Sequence, residues 1–314
     1  MPNFVGAPLA EVVRAGAVES VHSGHLVMIN GDGSIRAAIG DIDAPMYPRS
    51  SIKSFQAAAM VRNGLKVSPQ ELAMVCASHS GAPNHFRVVE SILAGAGLTV
   101  ADLQNSIDYP LGRAEKAAWG SNPPSRLAQG CSGKHAGMLA TCVVNGWETS
   151  TYLDPEHPLQ VAIRQEIQSL IGEPVFSTTI DGCGAPLFLI TTRNFAKGAH
   201  TMRVSSDPVY QEVVSACMAH PEMVAGIGRL TTNLMQQVPG LFMKDGAEAV
   251  ELFSLEDGRA CVFKVSDGSD RAFPAIVKAV LSAWNIEAEI EPVPVKGGGR
   301  VTGEIRVSPA LERL

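Results

Sequence analysis

The chain has 314 residues, 46% hydrophobic and 18% charged, with a formal net charge of −6. That composition belongs to a globular protein with a large core, built as one large domain or two. It excludes nucleic acid as the main partner, since the basic residues are scattered, and a membrane-spanning role, since no apolar run approaches the roughly 20 residues a membrane helix needs.

Six cysteines in so long a chain are not a disulfide framework. They are expected as reduced thiols of a cytoplasmic protein, with Cys76, Cys142, Cys217 and Cys261 filling apolar surroundings. The opening Met1-Pro2-Asn3-Phe4-Val5-Gly6 lacks a basic flank followed by an apolar core, so no signal peptide is expected.

In chain order, residues 9 to 16 begin a strand or short helix. Residues 25–30 and 34–40 read as two strands around Gly31-Asp32-Gly33, because Asp-Gly readily supplies the positive φ of a tight turn. Pro45 and Pro48 precede a helix that starts near Ser50, carries Ile52, Phe55 and Ala59 at helical spacing, and stops at Gly64. Ser68-Pro69-Gln70-Glu71 is a capping box with proline at the first helical position, predicting a helix to about Ala77. Residues 78–84 read as a polar loop, and Asn84 as the cap of a helix over 85–96 ended by Gly97. Thr99 to Asp102 is a further capping box. Residues 108–126, rich in Pro, Gly and polar side chains, read as an extended surface loop.

An apolar helix follows Gln129-Gly130-Cys131-Ser132-Gly133-Lys134 and stops near Asn145-Gly146. Another covers about 158–171, before Gly172-Glu173-Pro174. Residues 178–186 form a glycine-rich turn ahead of the apolar run Leu187 to Thr191. A helix is predicted over 207–219, partial helix over 221–237, strands over 248–254 and 259–266, a helix over 271–285 and a final edge strand over 302–307. Strands at both ends of the chain can pair into one antiparallel sheet, with the terminal helix on one face and the helical middle as a second lobe. The boundaries are approximately 1–48 and 240–314 for the sheet lobe and 49–239 for the mostly helical lobe of one catalytic unit.

Within this outline Ser50 and Lys53 stand three residues apart, on one helical face. A serine hydroxyl is a weak nucleophile unless a base takes its proton. A lysine serves as that base only when burial or neighbouring positive charge favours its neutral form. By spacing alone the pair reads as a solvated Ser and Lys of a first helical turn, because Ser-x-x-Lys occurs often by chance.

The order of a hairpin, this motif and Lys244-Asp245-Gly246 before C-terminal strands resembles penicilloyl-serine transferases and serine glutaminases. Asp245 stands where those families place Ser or Thr, which speaks against β-lactam chemistry. Six ordered segments resemble more closely the Rhizobium etli-type L-asparaginases, the class 3 or asparaginase II family. They are residues 19–24, 49–53, 78–81, 131–138, 181–186 and 244–248, and the resemblance runs from about residue 11 to 306. The resemblance implies a mixed α/β fold like that of serine β-lactamases and glutaminases. It also implies hydrolysis of L-asparagine to L-aspartate and ammonia, a homodimer, and a zinc site near the catalytic groups.

On that reading Ser50 attacks the side-chain amide and Lys53 takes its proton. Ser80 matches the family's second catalytic serine, with Ser78 as the alternative in the same loop. Lys244 pairs with Ser80 and adds positive charge, with Lys264 as a rival. The backbone N–H of Ser50 and one from the strand after Lys244 would form the oxyanion hole. Arg49 can hold the substrate α-carboxylate with its fork, and His79 and Gly246 belong to the substrate pocket. The metal ligands implied are Cys131, Lys134 and Cys183, with Asp181 orienting one of them. Cys-x-x-Lys is not by itself a zinc signature.

Three other functions stay open at this point. A glutaminase differs by one methylene in its substrate. In a metallohydrolase zinc-bound water would attack and Ser50 would be structural. In a binding protein Cys131 and Cys183 would form a structural zinc clip.

Overall fold

The computed structural model describes residues 6–314; Met1–Val5, which carry most of the segment searched for a signal peptide, lie outside it. Eleven strands are described: β1 (Ala7–Arg14), β2 (Ala17–Ile29), β3 (Ile35–Ile39), β4 (Pro45–Met46), β5 (Ser177–Ile180), β6 (Pro186–Thr191), β7 (Phe242–Gly246), β8 (Val250–Ser254), β9 (Ala260–Val265), β10 (Val295–Gly297) and β11 (Arg300–Val307). The main sheet runs β10-β11-β1-β2-β9-β8-β7, with β3 also on β2, and its pairings are antiparallel.

The two ends of the chain thus interleave in one sheet, as expected. The strand predicted as a final edge, β11, is instead interior: it lies between β10 and β1. The short β10, not foreseen, takes the edge. Phe242–Gly246, expected only to precede a strand, is itself the edge strand β7 at the other side. The predicted hairpin turn is present, with Asn30 N–H donating to the Ser34 carbonyl at 2.8 Å and Gly33 at φ 83.

β2 explains how the sheet bends. Its first half pairs with β1 and its second half, from Leu26, pairs with β3 on the same edge. At the changeover Gly24 approaches β9 so closely that a Cβ would lie 2.0 Å from the Lys264 carbonyl oxygen. The second half of β2 and all of β8 are buried, because helices cover both faces. One is Thr192–Val204, packed on β2, β8 and β9. The other is Phe273–Ala283, whose Phe273 ring meets Phe263 edge-on at 5.0 Å. The helix over 192–204 was not foreseen: its polar Thr-Arg-Asn start follows an apolar strand without the glycine or proline that usually punctuates such a change. The small sheet β4-β6-β5 was also not foreseen.

Most other helices fall where the spacing put them. The Ser68 capping box is formed, with the helix at Pro69–Val75. The next helix begins two residues early, at Pro83, with Ala82 at its N-cap; the His85 ring accepts from the Ala82 N–H in place of an Asn84 cap. The loop expected over 108–126 contains a short helix, Arg113–Trp119.

The helix Lys53–Arg62 is the axis of the helical part. Residues Lys53 to Met60 are all buried, the polar Lys53, Ser54 and Gln56 included, so no single apolar stripe marks the helix. Phe55 is fully buried, stacks edge-on against Phe195 at 5.4 Å, and has Gly198 against its ring. Phe55→Ala is therefore expected to destabilise the protein by about 3–5 kcal/mol, read as a lower urea midpoint with an unchanged slope.

Candidate active site

The site forms where the N-terminal end of that axial helix meets the edge of the main sheet. Arg49–Ile52 is a short 3-10 turn leading into the helix, and β7 packs against it. Among the described residues, three of the five non-glycine residues with positive φ gather here: Arg49 at 52°, Glu248 at 59° and Ala249 at 56°. Such conformations cost of order 1–3 kcal/mol each and persist only where the surroundings enforce them. Gly246 is needed for the close approach, since a Cβ there would lie 2.7 Å from the Pro48 carbonyl oxygen and 3.3 Å from the Ser50 nitrogen. The Ser50 nitrogen and the Gly246 backbone therefore lie close together.

Between them opens a cleft of about 470 Å³, lined among others by Arg49, Ser50, Ser78, Cys131, Asp181, Cys183, Arg229 and Gly246. Lys53 points inward from Ser50 and is 1% exposed. Its Nζ donates to the Ala77 carbonyl, to Ser78 Oγ at 3.2 Å and to Cys131 Sγ at 3.1 Å. Ser50 Oγ lies 4.0 Å from the same sulfur.

Lys244, fully buried, donates to Ser78 Oγ at 3.0 Å from the opposite side, and to the Asp245 carbonyl and carboxylate at 2.7 Å each. Burial pushes Lys244 down from its ordinary range, against the pull of the Asp245 carboxylate. The structure thus brings Ser78, not Ser80, between the two lysines. Ser80 donates to the Ala225 carbonyl at 2.9 Å and is packed so tightly on Gly226 that a Cβ there would lie 1.9 Å from its oxygen. The loop is not free to swap them: Ser78 N–H is tied to the Val224 carbonyl, His79 N–H to Gly130 and Ser80 N–H to Ala225. Lys264 donates to the Glu248 and Val265 carbonyls and has no hydrogen bond to either serine.

Arg49 is held by Asp181, Nε to Oδ1 at 2.6 Å, with Glu248 at 3.9 Å. Burial pushes the Asp181 carboxyl up, but the Lys134 and Arg49 charges outweigh it and keep it below the usual carboxylate range. His79 is not in the cleft wall. It is fully buried, its Nε2 is 2.8 Å from Ser132 Oγ, and burial beside His85 holds it neutral. Arg229 is the residue sequence reading missed. It donates to the Ser78 carbonyl at 2.6 Å and to Asp245 Oδ2 at 2.5 Å. It belongs to none of the six matching segments, and an isolated arginine after Gly226-Ile227-Gly228 carries no signal of its own.

The implied metal ligands are adjacent. Cys131 and Cys183 hydrogen-bond each other, and Lys134 Nζ is 3.2 Å from Cys183 Sγ. That bond and the Lys134 charge draw Cys183 toward thiolate, while Cys131 is pushed up to about 12 by the same bond and by burial. Among the described residues no group of three His, Cys, Asp or Glu side chains gathers as a metal set. The donors at hand are two sulfurs and one amine, which suit zinc once the amine is neutral. Lys134 is instead held protonated by the two sulfurs and Asp181, against its burial. The set therefore fits zinc with proton release, not as it stands.

An antiparallel sheet made from both chain ends carries at its edge a helical part that begins with a Ser-x-x-Lys turn, which defines a mixed α/β protein with a serine and two lysines at one cleft. The chain belongs to the L-asparaginase II family, whose profile matches residues 10–307. A comparison with curated proteins gives no match. Among solved structures it is similar to a protein of Bacteroides dorei classed provisionally as a β-lactamase (14% identity, 77% of this chain and 84% of that one, TM-score 0.43). It is also similar to a β-lactamase of Mycobacterium bovis (14%, 84% and 95%, 0.40) and to a Bacillus glutaminase (11%, 85% and 92%, 0.35). Membership of the family supports an amidohydrolase acting on a small molecule. Among the described residues no helix is long and apolar enough to cross a membrane.

Proposed function

We propose that the protein is an L-asparaginase working through a serine ester. The observation that carries the reading is the convergence of two buried lysines on one hydroxyl, Ser78, at 3.2 and 3.0 Å, in a cleft that opens at Ser50. Ser50 Oγ attacks the side-chain amide carbon and Lys53 takes the proton. The oxyanion is met by the Ser50 N–H and the strand beside Gly246. Ser78, held between Lys53 and Lys244, relays that proton from Lys53 to the amide nitrogen, the C–N bond breaks, and ammonia leaves a β-aspartyl ester on Ser50 with Lys53 free to act again. Water then attacks the ester, giving its proton to Lys53, which passes it to the Ser50 oxygen as the ester bond breaks and L-aspartate departs. Two easier steps replace one hard one. The test is ammonia release from L-asparagine with L-glutamine in parallel. A kcat/KM for asparagine at least 10-fold above that for glutamine supports the reading, since one methylene is worth about 10–200-fold. A glutamine preference would make it a glutaminase.

A zinc ion would be held by Cys131, Cys183 and Lys134 and would supply positive charge to hold and orient the substrate. Because Lys134 and Cys131 both carry protons in the metal-free arrangement, zinc uptake should release about two protons and weaken as pH falls. Calorimetry in buffers of different ionisation enthalpy measures this. Cys183→Ser should weaken zinc binding more than the 10–100-fold that loss of an outer partner costs, and absence of zinc uptake by the wild type would remove the site. The same reading takes the protein as a homodimer of the cytoplasm, the first of which light scattering in solution decides.

A further inference from the structure

We infer that Arg229 and Asp245 form a positioning pair that aims Lys244 at the Ser78 hydroxyl. The inference deepens the reading above and rests on it for its kinetic arm.

A closed ring of hydrogen bonds starts and ends on Ser78. The Ser78 carbonyl accepts from Arg229 Nη1 at 2.6 Å, and the other η-nitrogen donates to Asp245 Oδ2 at 2.5 Å. Asp245 Oδ1 accepts from Lys244 Nζ at 2.7 Å, and that amine donates to Ser78 Oγ at 3.0 Å. The Asp245 carbonyl, at 2.7 Å, takes the remaining Lys244 proton. A lysine ammonium has three donors, and all three are used here, so the direction of Nζ is fixed. An arginine fork can join a loop carbonyl to a strand carboxylate at one centre, which a single ammonium cannot do with the same geometry. The ring also couples two segments that no regular element joins: the Ser78 loop and β7.

The charges around Lys244 are few. Asp245 pulls its proton affinity up, and burial, Lys53 and Arg229 pull it down. Glu251, opposite Asp245 on β8, is a buried carboxyl pushed up by burial and so neutral, and the Cys217 thiol is pushed up by its bond to Cys76 and by burial. Removing Arg229 takes away one positive charge and leaves Asp245 wholly to Lys244, so Lys244 should hold its proton more firmly. Replacing Asp245 by asparagine should loosen it. The two shifts have opposite signs, which a purely structural role for the pair would not produce.

The experiment follows the Lys244 amine by ¹⁵N NMR titration of the full chain, assigned with Lys244→Met, in wild type, Arg229→Gln, Arg229→Lys and Asp245→Asn, beside kcat and KM for L-asparagine. The expected result is a midpoint raised in Arg229→Gln and lowered in Asp245→Asn, with the alkaline limb of kcat moving the same way. In Arg229→Gln kcat should fall about 100-fold, the cost of misplacing a catalytic group by about 1 Å, with KM little changed and no rescue in Arg229→Lys. A KM raised more than about 10-fold, with kcat and the titration unchanged, would make Arg229 a substrate anchor and overturn the inference. Absence of a shift, or shifts of the same sign, would overturn it as well. Should Arg229→Gln not fold, an unmoved midpoint in Asp245→Asn overturns it and a lowered one upholds it. Wild type inactive on both amides would defeat the asparaginase reading, while the titration still decides the pair.

Discussion

Ser50→Ala is expected to lower kcat for L-asparagine by about 10⁴-fold or more, with a thermal midpoint close to that of the wild type. Removing the nucleophile of a covalent mechanism leaves only binding and oxyanion stabilisation to act. No neighbour can substitute well. Cys131 Sγ is 4.0 Å from Ser50 Oγ but its thiol is pushed up to about 12, so little thiolate is available near neutral pH. Ser78 Oγ is taken by two lysines, on the inner side of the cleft. Ser50 lies at the surface of the cleft and its hydroxyl supports no buried network, so the cost to stability should be small. Ammonia release and a melting curve on the same preparation measure both. Activity kept in Ser50→Ala but abolished by a chelator would transfer the attack to a metal-bound water.

Lys53→Met should cost about 10²–10⁴-fold in kcat, the usual worth of a positioned general base. Methionine keeps the length and apolar stem of the lysine, so the helix packing survives. It removes a donor from the Ala77 carbonyl, from Ser78 Oγ and from Cys131 Sγ. One buried acceptor left unpaired costs about 1–3 kcal/mol, in part offset because a desolvated amine is no longer buried. Rapid-quench measurement should place the loss in formation of the acyl-enzyme, the step in which the Ser50 proton is removed. A kcat within a few-fold of wild type would mean that Lys53 serves packing and that another group is the base.

Much of the fold was legible because local chemistry spoke for it. The Ser68 capping box, the Asp-Gly hairpin turn and the glycines at 146 and 172 gave element ends that the structure keeps. The helix Thr192–Val204 and the interior place of β11 were not legible. Both depend on what lies alongside in space, and a strand's neighbours are not encoded in its own period. In the site, the Ser-x-x-Lys turn and the two cysteine segments were visible as ordered motifs. The choice between Ser78 and Ser80 was not. Two serines of one loop differ only in which backbone group, here the Ala225 carbonyl, captures one of the hydroxyls. Arg229 was invisible for the same reason: its partners, the Ser78 carbonyl and Asp245, are 151 and 16 residues away.

The sequence by itself determined the class of the protein, its family and the residue types available for chemistry, because those reside in turn residues, caps and short motifs whose physics is local. The tertiary structure alone decided which serine stands between the lysines, which lysine faces it, and that Asp245 is shared between Lys244 and Arg229. Those outcomes turn on distances of about 3 Å between segments far apart in the chain. Burial at that junction also decides which of the buried groups hold protons, and neither quantity exists until the chain has folded.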